Sequence, residues 1–190
     1  MMADFLRVQD GVAVEAWSEP EGFAIDECFT PEFVETFHPR GSADIGWIWN
    51  GAQFSAPAGP SLDELKAAKI AAINIQTEEV LAAGAAADGL HIALDADSRA
   101  DMGAMATTAA LALSGATEWP DSYSRGWISI ENIRIPLDAP ADGIALAAGV
   151  GDYYARVRQN SRDLKDDALA ARTEEELNAV EIDSGWPDAA

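Results

Sequence analysis

Ala56-Pro57-Ala58-Gly59-Pro60-Ser61-Leu62-Asp63-Glu64 divides the chain into two kinds of structure. Two prolines and a glycine within five residues break any regular element. Ser61, followed three residues later by Glu64, then forms a capping box, in which each side chain serves the other residue's free backbone N–H. The sequence predicts a helix from Leu62 to about Ala83, ending near Gly84. Leu62, Leu65, Lys69, Ala72, Gln76 and Val80 lie along one heptad-like seam, which Lys69 and Gln76 weaken. Ile70, Ile73 and Val80 mark a second apolar face. Apolar residues on two sides imply contacts on two sides, with other parts of the same domain or with a sister chain.

Upstream of the break the pattern is β. Phe5–Val8 and Val12–Trp17 flank Asp10-Gly11, and Ile45–Trp49 and Ala52–Ser55 flank Asn50-Gly51. Asp-Gly and Asn-Gly suit two-residue hairpin turns, because such turns need positive φ. Thr30–Phe37 reads equally well as a short strand or a helical turn. Trp47 and Trp49, two residues apart, share one face of their strand. They fit a small core better than a docking patch, since aromatics supply most of the buried area in small cores.

Downstream, Gly89–Leu94 reads as a strand with Leu90, Ile92 and Leu94 on one face, and Asp97 or Ser98 opens a helix reaching about Ser114. Gly115–Gly126 is a loop carrying Trp119 and Pro120, and Trp127–Pro136 reads as a strand. Asp138 is expected to cap a long helix, with Pro140 in its first turn and its end near Ala171. Gly143, Gly149 and Gly151 weaken that helix, so a kink or break near Gly149–Gly151 is expected. Thr173-Glu174-Glu175-Glu176 is a second capping box and starts a short final helix. The fold class is therefore α+β. It comprises a small N-terminal β-hairpin module (residues 1–57), a linker and Ala-rich helix (58–85), and a mixed, mainly helical C-terminal domain with a few short strands (86–190).

The chain has 190 residues, and its 48% hydrophobic content is enough for a real core. Lys plus Arg total 12 against 33 Asp plus Glu, a net charge of −21. Such a surface repels phosphates and anionic headgroups, which excludes nucleic acid as a partner. The acid excess serves solubility and suits a high-salt setting, where ions screen self-repulsion. Cys28 is the only cysteine, so an internal disulfide and a cysteine metal cluster are excluded. Met1 to Gly11 lacks the basic start and apolar run of a secretory leader, and no run of 18 uncharged apolar residues predicts membrane insertion.

Two stretches together resemble phage tail-fibre and tail-fibre-assembly-like proteins. One is Gly46-Trp47-Ile48-Trp49-Asn50-Gly51-Ala52-Gln53-Phe54, and the other is the Lys-bearing Ala-rich helix Leu65–Asn74. From about Ser61 to Trp186 the chain resembles a phage-tail domain of unknown function. The matching features are Asp97-Ser98-Arg99, Pro136-Leu137, Leu164-Lys165, and Thr173, Glu175, Glu176 and Leu177. The glycines in the long helix and the strong acidity depart from that pattern. The resemblance implies a place of action in a phage tail and carries no catalytic residues.

The residues themselves offer no reactive centre. His38 precedes Pro39 in a loop, and His91 points away from Leu90 and Ile92, neither with a nucleophile beside it in the pattern. Asp95–Asp101 is a poor calcium loop, since Ala100 and Ala106 stand where glycine and glutamate are needed; it reads as a helix N-terminus with acids at the positive dipole end. Gly149-Val150-Gly151 lacks the lysine and hydroxyl of a phosphate loop. Asp163, Asp166 and Asp167 read as a solvated helix face. No catalytic, cofactor-binding or metal-binding residue is assigned. The expected role is a non-enzymatic structural part of a tail (fibre, fibre base or tip accessory) that contacts other tail proteins as a homo-oligomer, with trimers implied by the resemblance. A fibre-assembly chaperone is the alternative, and a glycan-cleaving enzyme is third. Trp47, Trp49, Trp119 and Trp127 are the candidate contacts for a partner or a host surface glycan.

Overall fold

The computed structural model describes residues 4–188, so residues 1–3 of the stretch read for a leader lie outside the described residues. The chain divides at Pro60 and Ser61 into two compact units.

The first unit is a five-stranded sheet. Strands β1 (Asp4–Gln9) and β2 (Val12–Ser18) form the predicted hairpin, with Asp10 and Gly11 both at positive φ. A bulge between Arg7 and Val8 leaves Val14 without an opposite residue. Two helical turns follow, α1 (Ile25–Cys28) and α2 (Pro31–Val34), then β3 (Phe37–Pro39), β4 (Ile48–Trp49) and β5 (Phe54–Ser55). The strand order is β3-β1-β2-β4-β5. Thr30–Phe37 thus contains both readings, a proline-started turn and the first residue of a strand. The Asn50-Gly51 hairpin differs from expectation. Trp49 pairs with Phe54, so the loop holds four residues, and the Asn50 carboxamide oxygen accepts the N–H groups of Ala52 and Gln53. A side chain that closes the turn this way spares Asn50 from positive φ.

Both faces of this sheet are covered. On one, Leu6, Ala13 and Ala43 are buried with Trp47 and Phe54 against them. On the other, Trp17, Phe29, Phe33 and Phe37 pack with ring centroids 5.3 to 6.1 Å apart.

The second unit is built on helices. It contains α3 (Leu62–Ala83), β6 (Ala85–Ala87), β7 (Leu90–Ile92), α4 (Ala96–Leu113), α5 (Asp121–Ser124), β8 (Trp127–Ile128), β9 (Arg134–Ile135), α6 (Pro140–Ala170) and α7 (Glu174–Asn178). Helix α3, set apart in the sequence reading as a linker, packs on α6 and α7 within this unit. Its capping box is complete: Ser61 Oγ accepts from Glu64 N–H at 3.3 Å and Glu64 Oε2 accepts from Ser61 N–H at 2.7 Å. Lys69, which interrupts the seam, donates from Nζ to the Val180 carbonyl at 3.0 Å.

Helix α6 is continuous over 31 residues, and no break occurs near Gly149–Gly151. Val150, Tyr153, Val157, Ser161, Leu164 and Ala168 are buried at helical spacing, and tertiary packing along that stripe outweighs the glycine penalty. The N-cap is Ala139, one residue after the expected Asp138; Asp142 Oδ2 accepts the Ala139 N–H. Gly143 faces α4 without room for a side chain: a Cβ there would lie 2.6 Å from Met105 Sδ and 3.1 Å from the Trp119 ring. Helix α4 starts earlier than predicted, capped by Asp95. At α7, Thr173 Oγ1 accepts Glu176 N–H, but Glu176 Oε2 takes the N–H of Arg172 where a capping box would use Thr173.

The sequence reading missed two hairpins. The first joins β6 and β7 through Asp88 and Gly89 at φ +52° and +74°. The second splits Trp127–Pro136, read as one strand, into β8 and β9 around Ser129–Ile133, with Asn132 at φ +59°. The core falls into two clusters. One gathers Ile92, Leu94, Met102, Met105, Ile135, Leu137 and Val157; the other gathers Ile73, Leu164, Ala168 and Leu177. Trp186 packs against both.

Candidate functional site

The β8–β9 hairpin combines a fixed backbone with an apolar outer surface. Trp127 and Ile135 pair across the ladder and turn inward, Ile135 being buried and Trp127 packing on the core. Strand alternation then turns Ile128 outward. Ile128, Ile130 and Ile133 are 54%, 50% and 52% exposed. Within the turn, Ser129 N–H donates to the Ile133 carbonyl at 2.9 Å and Asn132 N–H to the Ser129 carbonyl at 3.0 Å.

Strand β7 clamps this turn. Ile130 N–H donates to the His91 carbonyl at 2.8 Å. In return, Glu131 Oε2 accepts the His91 N–H at 3.1 Å, and Oε1 lies 2.6 Å from His91 Nδ1. A carboxylate only accepts, so Nδ1 carries the hydrogen. The His91 backbone N–H and then its ring hold the Glu131 carboxyl down at about 2. His91, which faces away from the core as expected, therefore acts as a fastener for the hairpin.

Beside the hairpin a recess of about 490 Å³ is lined by Ser98, Asp101, Tyr123, Trp127, Ile128 and Arg134, among others. Arg134 Nη1 donates to the carbonyls of Arg125 and Gly126, which holds the guanidinium along the hairpin base. Trp119 lies deeper. Its Nε1 donates to the Leu137 carbonyl at 2.9 Å, and its ring stacks on Tyr123 at 5.1 Å. In the other unit, Trp47 packs on the Leu6 cluster, and Trp49 stacks on His38 at 4.0 Å and meets Phe54 at 4.8 Å. Burial lowers the His38 pKa. Of the four candidate tryptophans, Trp127 lines the recess beside the exposed isoleucines.

Asp95 resolves the aspartate run as a helix cap. Its Oδ1 accepts the N–H groups of Asp97 and Ser98, and Oδ2 accepts the Ser98 hydroxyl. Those bonds, the Ser98 hydroxyl first, lower the Asp95 pKa. Asp163, Asp166 and Asp167 lie on the exposed side of α6, where Arg162 pairs with Asp166. Among the described residues no group of three or more His, Cys, Asp or Glu is placed to hold a metal. None of the described helices is long and apolar enough to cross a membrane.

Residues 64–183 match a domain of unknown function, DUF4376. The chain belongs to the DUF4376 family. The match covers more than half of the chain and lies within the helical unit, running from the first turn of α3 to just beyond α7. No curated protein matches the chain. The clamped hairpin thus sits inside the DUF4376 region. Glu131 was absent from the sequence reading, because its partner lies 40 residues away and no local pattern joins the two.

Proposed function

We propose that this DUF4376 chain is a non-catalytic structural subunit of a bacteriophage tail, placed in a fibre, fibre base or tail tip and acting through contacts with other tail proteins. The observation that carries this reading is the hairpin: three half-exposed isoleucines on a turn tied down at His91. A subunit interface needs apolar area on a backbone that loses little freedom on binding. The resemblance of Gly46–Phe54 and of Asp97-Ser98-Arg99 to tail proteins supplies the setting, and trimeric assembly follows from the same resemblance. The polar groups that first suggested chemistry also serve structure: Asp95 caps α4, His91 fastens the hairpin, and His38 stacks on Trp49. Mass spectrometry of purified particles tests the proposal. The subunit should be present in fixed proportion to the other tail proteins.

A fibre-assembly chaperone uses the same exposed apolar surface transiently and is the second reading. It is favoured if co-expression is needed for soluble fibre protein while mature particles lack the chain.

A further inference from the structure

The Asp97-Ser98-Arg99 step places an arginine at the mouth of a second recess, between α4 and α6. This recess holds about 270 Å³, and its walls are mainly apolar, including Met102, Ala106, Ala147 and Val150. Arg99 stands at its rim. Its Nε donates to the Leu94 carbonyl at 3.0 Å, and its guanidinium carbon lies 4.4 Å above the centre of the Tyr154 ring. Both contacts fix the guanidinium plane, and among the described residues no hydrogen bond engages its Nη donors. Among the described residues Arg99, like Arg125, Arg134, Arg158 and Arg172, makes no ion pair with a carboxylate, and of these it is Arg99 that lines this recess. Asp95, which lines a neighbouring recess together with Arg99, is engaged by the helix cap.

We infer that this recess binds a small aliphatic carboxylate, its chain between α4 and α6 and its carboxylate on the Nη donors of Arg99. An oriented guanidinium matches a carboxylate's two oxygens, and the apolar walls match a short hydrocarbon. Size argues for a small ligand over a protein partner. Pockets for drug-sized ligands start near about 300 Å³, and stable protein interfaces engage roughly 20–30 residues a side. Only ten residues line this recess. The inference stands apart from the tail reading and survives its failure.

Titration of the full chain with sodium hexanoate, followed calorimetrically and by amide shifts of Gly103, Ala106 and Gly151, tests it. Saturable binding with shifts centred on these residues is expected, with hexan-1-ol binding about tenfold or more weakly for want of the charge-assisted bonds. Arg99→Gln should weaken hexanoate by a similar factor, and Ala106→Phe should abolish binding by filling the recess. Arg99→Lys, which keeps the charge but loses the planar fork that meets both carboxylate oxygens, should also weaken hexanoate and serves if Arg99→Gln does not fold. Equal binding of hexanol and hexanoate, or hexanoate binding unchanged by both Arg99→Lys and Ala106→Phe, overturns the assignment. So do shifts at these residues that depend on protein concentration alone, since a second copy would then be the occupant.

Discussion

His91 and Glu131 meet at two points, backbone N–H to Oε2 at 3.1 Å and ring Nδ1 to Oε1 at 2.6 Å. A carboxyl whose pKa falls on folding stabilises the fold above its ordinary value, and that contribution fades as pH drops toward the folded value. For Glu131 the window runs from 4.5 down to about 2. Protection factors of the His91 and Ile130 amides, which remove the intrinsic pH dependence of exchange, should therefore hold steady above that window and fall within it. Glu131→Gln should make both amides exchange faster at neutral pH and flatten the response across the window. Unchanged protection in the variant would show that the clamp does not hold the turn.

Gly143 and Gly149 lie in the same helix and should respond oppositely to alanine. At Gly143 the added methyl group meets Met105 and Trp119, and overpacking of this kind costs roughly 1–3 kcal/mol. At Gly149 it meets nothing within 4 Å, so helix propensity alone applies and stabilises by about 1 kcal/mol. Urea denaturation of the two variants measures both signs.

Thr77 and Ser161 form a buried hydroxyl pair 2.8 Å apart, and Thr77 also reaches the Ile73 carbonyl. Thr77→Val leaves Ser161 buried without its partner, at a cost of about 1–3 kcal/mol. Adding Ser161→Ala should recover part of that loss, because no polar group is then stranded. A double variant less stable than the single one would contradict the pairing.

The charge of −21 predicts a salt response. Raising sodium chloride from 0.01 to 1 M shortens the screening length from ~30 to ~3 Å and relieves repulsion between surface carboxylates. The thermal midpoint should rise over that range, and a flat or falling midpoint would remove the high-salt reading of the composition.

The legible parts of the fold are those written locally. Ser61 with Glu64, and Asp10 with Gly11, announce a helix start and a hairpin within a few residues, and both form. Asp88-Gly89 carries the same turn signal, but it sits behind the alanine-rich end of α3, where short alanine strands do not look like strands. Asn50-Gly51 gives the right hairpin with the wrong loop, because the Asn50 carboxamide supplies bonds that a dipeptide rule ignores. The glycines of α6 look like breaks until the buried stripe from Val150 to Ala168 is seen packed. The candidate site was least legible. Ile128 and Ile130 read as strand interior, and the fact that they face outward depends on the pairing of Trp127 with Ile135 and on a clamp to a distant residue.

If the outer face of the β8–β9 hairpin joins this chain to a tail, charging that face should keep the chain out of assembled particles. The direct measurement is incorporation. Particles assembled with wild-type chain, or with Ile128→Lys and Ile133→Lys together, are purified and their content of the chain is measured by mass spectrometry. Both side chains are half exposed, so the variant should fold with an unchanged circular dichroism spectrum. Wild-type chain should be present in every particle preparation, and most of the variant should be lost. Absence of the wild-type chain from particles, or equal incorporation of the folded variant, would contradict that role of the hairpin.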